Sequence, residues 1–374
     1  MSKSDEEIKY YSLDRILQED VLYYVIFGER STGKTYAVKE RIVERALKYG
    51  EDGAILRRFE IDFKGKRGNI LFADIVANGL VEKYSNGEYT DIYYYSGMWY
   101  FCSYTEKGVR IKAPTPFCYA FTLASGEHDK STSYPKVKTI LFDEFITRQM
   151  YLPNEFVLFQ QQISTIVRQR DDVKIFMCGN SVNKYGCIYF KEMGLRHIDE
   201  MEQGTIAVYE QGNGLKIAVE YTGHITKSGN KKSDKYFAFD NPQLQMITTG
   251  KWEMAMYPHL PYKYKTTDID FIYFIEYEGK IMQCEVVNLD DGVIFTYVHI
   301  KTTPLKEEEG DYIYSTEFNA KPNWKRKITL VTNELERRIY WFYKNEKVFY
   351  QDNDVGELMR SYIQWCRVDK GVLN

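Results

Sequence analysis

Eight residues, Gly28-Glu29-Arg30-Ser31-Thr32-Gly33-Lys34-Thr35, spell the pattern G-x-x-x-x-G-K-[ST], and their flanks restrict what can form around them. Residues 21–27 before the pattern are a continuous apolar run, as in a buried strand. Residues 36–48 after it read as a helix with Val38, Ile42, Val43, Ala46 and Leu47 on one face. A strand, a glycine-rich loop and a helix in that order aim backbone N–H groups and a helix N-terminus at one anion. In such a loop Gly28, Ser31, Thr32 and Gly33 surround the phosphates, Lys34 meets the β- and γ-phosphates, and the Thr35 hydroxyl meets Mg²⁺. The expectation is an α/β unit that binds ATP or GTP.

The chain of 374 residues has room for two domains, each with its own core. Its net charge of -3 means that any contact with nucleic acid comes from local patches rather than from the overall field. Six cysteines lie scattered with no C-x-x-C pair, and the five histidines are dispersed. No zinc site is readable, and free thiols in a reducing cytoplasm are the expectation. No signal peptide is expected from the polar residues 1–7. No apolar run approaches the roughly 18 residues of a membrane span, so a membrane partner is not expected.

From about residue 20 to 200, strand and helix patterns alternate, as in a sheet with crossover helices. A second strand is expected at 54–56, a third at 116–125, a fourth at 137–142 and a fifth at 174–178. Residues 93–104 and 108–112 read as an antiparallel insertion. The pattern fades after Glu192, so residues 1–195 are assigned to the first domain and the glycine- and charge-rich residues 196–235 to a linker. Residues 236–374 then read as an α+β domain: strands at 271–277, 281–287 and 293–300, followed by helices at 333–343 and 355–365.

The fourth strand runs into Asp143-Glu144. Next to a phosphate loop, Asp143 is positioned to reach Mg²⁺ and Glu144 to polarise the attacking water. Paired carboxylates of this kind belong to ATPases with an additional strand between the two motifs. They speak against a Ras-like GTPase, which uses glutamine to position water. Asn180, closing the fifth strand, either senses the γ-phosphate or serves as an ordinary turn residue. The helical segment 160–170 ends in Arg168 and Arg170. Each is a candidate arginine finger for a neighbouring subunit, against the alternative of a charged helix end complementing its dipole. Arg57 and Arg58 either contact nucleotide or pair with Glu60 and Asp62, with Arg58 the stronger nucleotide candidate. Tyr10 and Tyr11 are candidates to stack on a base.

The phosphate loop, Ile140-Leu141-Phe142-Asp143-Glu144-Phe145 and Ile166-Val167-Arg168-Gln169-Arg170 together resemble the genome-packaging ATPases of phi29-like short-tailed phages. These are a branch of the additional-strand (RecA-like, ASCE) P-loop ATPases near the FtsK and HerA translocases. The resemblance covers the first 200 residues and is faint beyond. It implies ATP and Mg²⁺ as cofactors and a homo-oligomeric ring of five at the portal of a viral procapsid, driving double-stranded DNA inward. Each active site would be completed by an arginine in trans. The second, smaller α+β domain would resemble a ribonuclease-H-like nuclease fold that has lost catalysis and docks on the portal or a structural RNA. The setting would be the host cytoplasm, with transient residence on the procapsid.

Terminases with working nucleases place a metal-binding aspartate on the first strand of that domain. Here the expected strand, residues 271–278, contains none. Asp268 and Asp270 precede it, and Asp290 and Asp291 follow the next strand. That spacing does not gather three carboxylates on two metals. The alternatives are a terminase with an active Mg²⁺-dependent nuclease, and a nucleotide-gated assembly switch, which would not need Glu144. A small-molecule kinase would need an arginine-rich lid that is not apparent.

A motor indifferent to sequence grips phosphates. Lys130, in the polar run 125–133, and Arg148, just past Glu144, are the expected DNA contacts. Basic clusters at Lys227, Lys231, Lys232 and Lys235, and at Lys321, Lys325, Arg326 and Lys327 around Trp324, are further candidates for RNA or DNA.

Overall fold

The computed structural model describes residues 10–125, 132–147, 151–180, 187–223, 257–290, 292–305 and 310–368. The chain divides near residue 252 into two units.

The first unit is built on β1 (Tyr23–Gly28), all six of whose residues are buried. Successive side chains point to opposite faces of a strand. Accordingly Tyr23, Val25 and Phe27 enter one core, and Tyr24 and Ile26 enter another on the far side. A strand covered on both faces is a strand of a parallel sheet, which is why its sequence is a continuous apolar run rather than an alternation. Helix α1 (Lys34–Tyr49) covers one face with Val38, Ile42 and Val43. It ends at Gly50, whose left-handed backbone (φ 66°) closes the last turn. After β2 (Asp52–Arg57) come three short helices, α2 (Lys66–Ile70), α3 (Ala73–Ala77) and α4 (Leu80–Tyr84), whose lengths fall below what periodicity can reveal.

The strands β3 (Asp91–Tyr95), β4 (Met98–Tyr104) and β5 (Arg110–Lys112) pair antiparallel. They precede β6 (Cys118–Thr122) and β7 (Val137–Asp143). Helix α5 (Glu155–Val167) packs on the second face, with β8 (Lys174–Asn180) and α6 (Ile188–Glu192) following. With β9 (Thr205–Glu210) and β10 (Lys216–Tyr221), the strand order is β3-β4-β6-β2-β7-β8-β1-β10-β9, with β5 on β4. Strand β8 therefore lies between β1 and β7, and the unit is an α/β fold with helices on both faces.

The linker expected at 196–235 is corrected in its central part. Residues 216–221 form β10, which runs parallel to β1 from Tyr23↔Ile217 to Phe27↔Tyr221, and β9 pairs antiparallel with β10. The apolar signal there is short, Leu215, Ile217, Ala218, Val219 and Tyr221 interrupted by Lys216 and Glu220 and preceded by Gly212 and Gly214. The reason for the strand is tertiary, since Ile217, Ala218, Val219 and Tyr221 complete the two cores against β1.

The second unit opens with a meander of β11 (Ile269–Tyr277), β12 (Lys280–Asn288) and β13 (Ile294–Ile300). Strand β14 (Ile313–Ser315) runs parallel to β11, and β15 (Trp324–Lys325) parallel to β14. Helix α7 (Glu334–Lys344), strand β16 (Val348–Tyr350), parallel to β13, and helix α8 (Asn353–Val368) complete it. The core joins Tyr273, Met282 and Tyr314 of the sheet to Phe342 of α7 and Leu358 and Tyr362 of α8. The expectation that the first strand holds no aspartate is also corrected. Asp270 lies inside β11, where its carboxylate pairs with Arg338 of α7. Among the described residues no three histidine, cysteine or acidic side chains gather to hold a metal, and no helix is long and apolar enough to cross a membrane.

Candidate nucleotide-binding site

The C-terminal ends of β1, β2, β7 and β8 meet at one cleft of about 360 Å³. Two glycines of the loop pattern beside it have conformations that need glycine. Gly28 has φ 147°, and a Cβ there would stand 2.1 Å from Thr222 Oγ1, just past β10. Gly33 has φ 95° immediately before α1, a left-handed position that other residues adopt only with strain. Lys34 is buried. Its Nζ donates to the Gly28 carbonyl at 3.4 Å, to Thr32 Oγ1 at 3.2 Å, and to the Glu29 carbonyl. Burial lowers its pKa to about 8.

The Thr35 hydroxyl donates to Asp143 Oδ1 at 2.7 Å, tying the first turn of α1 to the end of β7. The other carboxylate oxygen, Oδ2, accepts from Arg57 Nη2. Beside them, Glu144 Oε2 lies 3.8 Å from Arg57 Nη1. Glu144 has φ 60°, a strained backbone for a glutamate, while its side chain stays mostly exposed to the cleft. Asn180 stands opposite Gly28 in the pairing of β8 with β1 and lines the same cleft, together with Arg30.

The adjacent arginines Arg57 and Arg58 part company. Both line the cleft, but Arg58, the expected nucleotide ligand, has a buried side chain with most of its donors spent within the fold. Nε and Nη2 each donate to Glu155 at 2.8 Å, Nη1 donates to the Glu144 carbonyl at 3.2 Å, and Nη2 also donates to the Phe145 carbonyl at 3.1 Å. Glu155 further accepts from Tyr189 Oη and from the Leu152 N–H, both at 2.8 Å. Arg57, bonded to Asp143 and close to Glu144, is the more exposed of the two. Glu155 and Arg30 went unnoticed in the sequence, although Arg30 stands inside the loop pattern itself.

Arg168 and Arg170 both lie at the far end of β7. Arg170 donates to the carbonyls of Val137 (2.8 Å), Pro135 (3.0 Å), Tyr134 (3.1 Å), Ile166 (3.0 Å) and Val167 (3.0 Å). Its guanidinium fastens α5 to the start of β7. Arg168 closes α5 with a left-handed backbone (φ 46°), and its Nη2 donates to the Thr132 carbonyl at 2.9 Å. Val137 and Asp143 are the two ends of a seven-residue strand, which is roughly 20 Å long. Neither arginine reaches Asp143 of its own chain.

Tyr10 and Tyr11 are now placed. The Tyr11 N–H donates to the Thr32 carbonyl at 3.0 Å, and its hydroxyl donates to the buried Glu220 at 2.7 Å. Burial and the Glu220 charge push the Tyr11 hydroxyl far above its usual range. Tyr10 is exposed and lies against Gly33. The expected DNA contacts Lys130 and Arg148, and the cluster at 227–235, lie outside the described residues.

Residues 103–211, from the end of β4 to just past β9, match the model of the Podovirus DNA encapsidation protein (Gp16) family. Over this stretch the chain is similar to these encapsidation proteins. The matched stretch contains Asp143, Glu144, α5 and Asn180 but not the phosphate loop, so loop and family match are separate observations. The DNA packaging protein of Bacillus phage B103 is 29% identical over 182 residues, 46% of each chain. That of Bacillus phage phi29 is 27% identical over 178 residues, 46% of this chain and 47% of the relative. The chain thus matches about half the length of these relatives. The solved phi28 gp11 DNA packaging motor shares the fold, with a TM-score of 0.53 at 18% identity, over 98% of this chain and 100% of that one.

Proposed function

We propose that the protein is an ATP-driven motor that translocates double-stranded DNA into a viral procapsid. The observation that carries this reading is the Thr35–Asp143 hydrogen bond at 2.7 Å. It joins the phosphate loop to the strand end bearing Glu144, on a chain related to DNA encapsidation proteins.

The donor set fits a hard divalent cation, since a hydroxyl and a carboxylate from two rigid elements lie side by side. Mg²⁺ held there by Thr35 and Asp143 would offset phosphate charge. Lys34 supplies a second positive charge from beneath the loop. Glu144, exposed in the cleft, accepts a proton from the attacking water, and Asn180 holds that water or the γ-phosphate. In a ring, the outward end of α5 presents Arg168 to the neighbouring site, where a finger in trans is worth several powers of ten in rate. A pure assembly switch would leave Glu144 without a task.

The second unit has a mixed sheet in which an antiparallel meander continues through parallel strands β14 and β15, covered by α7 and α8. This supports the ribonuclease-H-like reading. Two of its acids are engaged in the fold: Asp270 with Arg338, and Glu285 with Tyr264, Gln283 and His299. Such a unit suits docking on a portal or a structural RNA better than cutting. A homo-oligomeric ring, five-membered in this reading, would work at the procapsid in the host cytoplasm.

The test is steady-state ATP hydrolysis with and without long duplex DNA. Strong stimulation by duplex is expected. Hydrolysis that stays flat across duplex concentrations, with procapsid present, would contradict translocation.

A further inference from the structure

We infer that Arg57 is a built-in counter-cation for Asp143, exchanged for the divalent metal when nucleotide binds. The inference rests on the reading of the cleft as a Mg·ATP site, and it assigns Arg57 a task distinct from that of its buried neighbour Arg58.

Sheet register places the two groups. Strand β2 runs beside β7 with Leu56 opposite Phe142, so the next residues along, Arg57 and Asp143, emerge together at the strand ends. Both oxygens of Asp143 are engaged, Oδ1 by the Thr35 hydroxyl and Oδ2 by Arg57 Nη2. The Asp143 side chain is only 6% exposed and that of Arg57 19%. A carboxylate so far removed from water is costly unless a cation stands beside it. Thr35 contributes no charge and Lys34 acts on Asp143 only at a distance, so Arg57 is the cation bonded to the carboxylate.

The same carboxylate is the protein's charged ligand for the metal. A guanidinium and a divalent cation at one oxygen repel each other, so occupancy by one displaces the other. Arg57 is suited to leave. Its Nε is buried without a hydrogen-bond partner, whereas the Arg58 donors are committed to Glu155 and two carbonyls. Its Nη1 already lies 3.8 Å from Glu144 Oε2, on the side that opens to the cleft. A short swing therefore moves its charge from Asp143 to Glu144 and the phosphates. The protein alone then takes up metal poorly, and metal enters together with the phosphates that draw Arg57 away.

The probe is Mn²⁺ without nucleotide, followed by electron paramagnetic resonance and by thermal melting, in the wild type, Arg57→Gln and Arg57→Lys. Arg57→Gln should bind Mn²⁺ at least about tenfold more tightly than the wild type, the scale of one desolvated charge pair. Mn²⁺ should also restore the melting temperature that this variant loses. Arg57→Lys, which keeps the charge, should bind Mn²⁺ as weakly as the wild type. Equal Mn²⁺ affinity in Arg57→Gln and the wild type would overturn the inference. Should Arg57→Gln fail to fold, Arg57→Gln combined with Asp143→Asn should fold, because no uncompensated carboxylate remains. If that double variant also fails, Arg57 holds the fold in another way and the inference falls. Wild-type binding of Mg·ATP, titrated in parallel, separates the two claims. Its absence removes the nucleotide-site reading, whereas its presence with unchanged Mn²⁺ affinity in Arg57→Gln removes only the exchange.

Discussion

Arg58 Nη1 donates to the main-chain carbonyl of Glu144 at 3.2 Å. The same guanidinium pairs with both oxygens of Glu155 at 2.8 Å and lies 5.2 Å over the Tyr151 ring. Glu144 thus keeps its left-handed backbone because a buried ion pair holds its own carbonyl and that of the next residue, Phe145. Strained conformations persist where their surroundings over-determine them, and they cluster at functional sites. Arg58 is in this account a positioning residue for the candidate base.

Replacing Arg58 by Gln leaves Glu155 buried without its cation, which costs about 3 to 5 kcal/mol. Adding Glu155→Gln should return most of that stability by removing the stranded charge. Turnover separates positioning from mere stability. The double variant should recover its melting temperature yet keep a kcat about tenfold or more below wild type, with little change in the KM for ATP, since the base is no longer held. Full recovery of kcat along with stability would show that Arg58 is only structural.

The two arginines after α5 should separate in the same way. Arg170→Ala strips donors from five carbonyls and should lower the melting temperature. Arg168→Ala should leave the melting temperature nearly unchanged and suppress hydrolysis. Mixing Arg168→Ala with Glu144→Gln subunits should restore part of the activity, because some interfaces then receive an intact base and an intact finger. Absence of any rescue in the mixture would count against action in trans.

In the second unit, burial pushes the Glu336 carboxyl up. Hydrogen bonds from Tyr312 Oη (2.5 Å), Thr332 Oγ1 (2.7 Å) and the Thr332 N–H (2.5 Å), with Lys325 nearby, outweigh it and hold the pKa at about 2. A carboxyl whose folded pKa is depressed adds stability above its ordinary value near 4.5, lost as the pH falls toward 2. The gap in melting temperature between wild type and Glu336→Gln should be full at pH 6 and shrink as the pH drops from 4.5 toward 2. A gap that stays constant over that window would mean the carboxylate charge is not what Tyr312 and Thr332 hold.

The phosphate loop and Asp143-Glu144 were legible because their chemistry is written in consecutive residues. The additional strand between them could be inferred from the pair of carboxylates, and β8 lies there. Strand β10 was not legible, because its few apolar residues become a strand only against β1. Arg57 and Arg58 show a different limit. They are neighbours in the sequence and both line the cleft, yet one binds Asp143 and the other the buried Glu155, and composition does not reveal which takes which partner. Arg170 shows a related limit. A basic residue past a helix looks the same whether it awaits a neighbour or bonds the carbonyls of the next strand. Asp270 shows the limit of boundaries, since its strand begins one residue earlier than Asp270 itself.

The most direct test of the account compares ATP hydrolysis by Glu144→Gln with the wild type at saturating Mg·ATP, after nucleotide affinity has been measured for both. With Glu144 as the base, the variant should bind ATP as tightly as the wild type and hydrolyse it at least about 100-fold more slowly. Wild-type turnover in Glu144→Gln would contradict the account, because the water would then be activated from elsewhere in the protein.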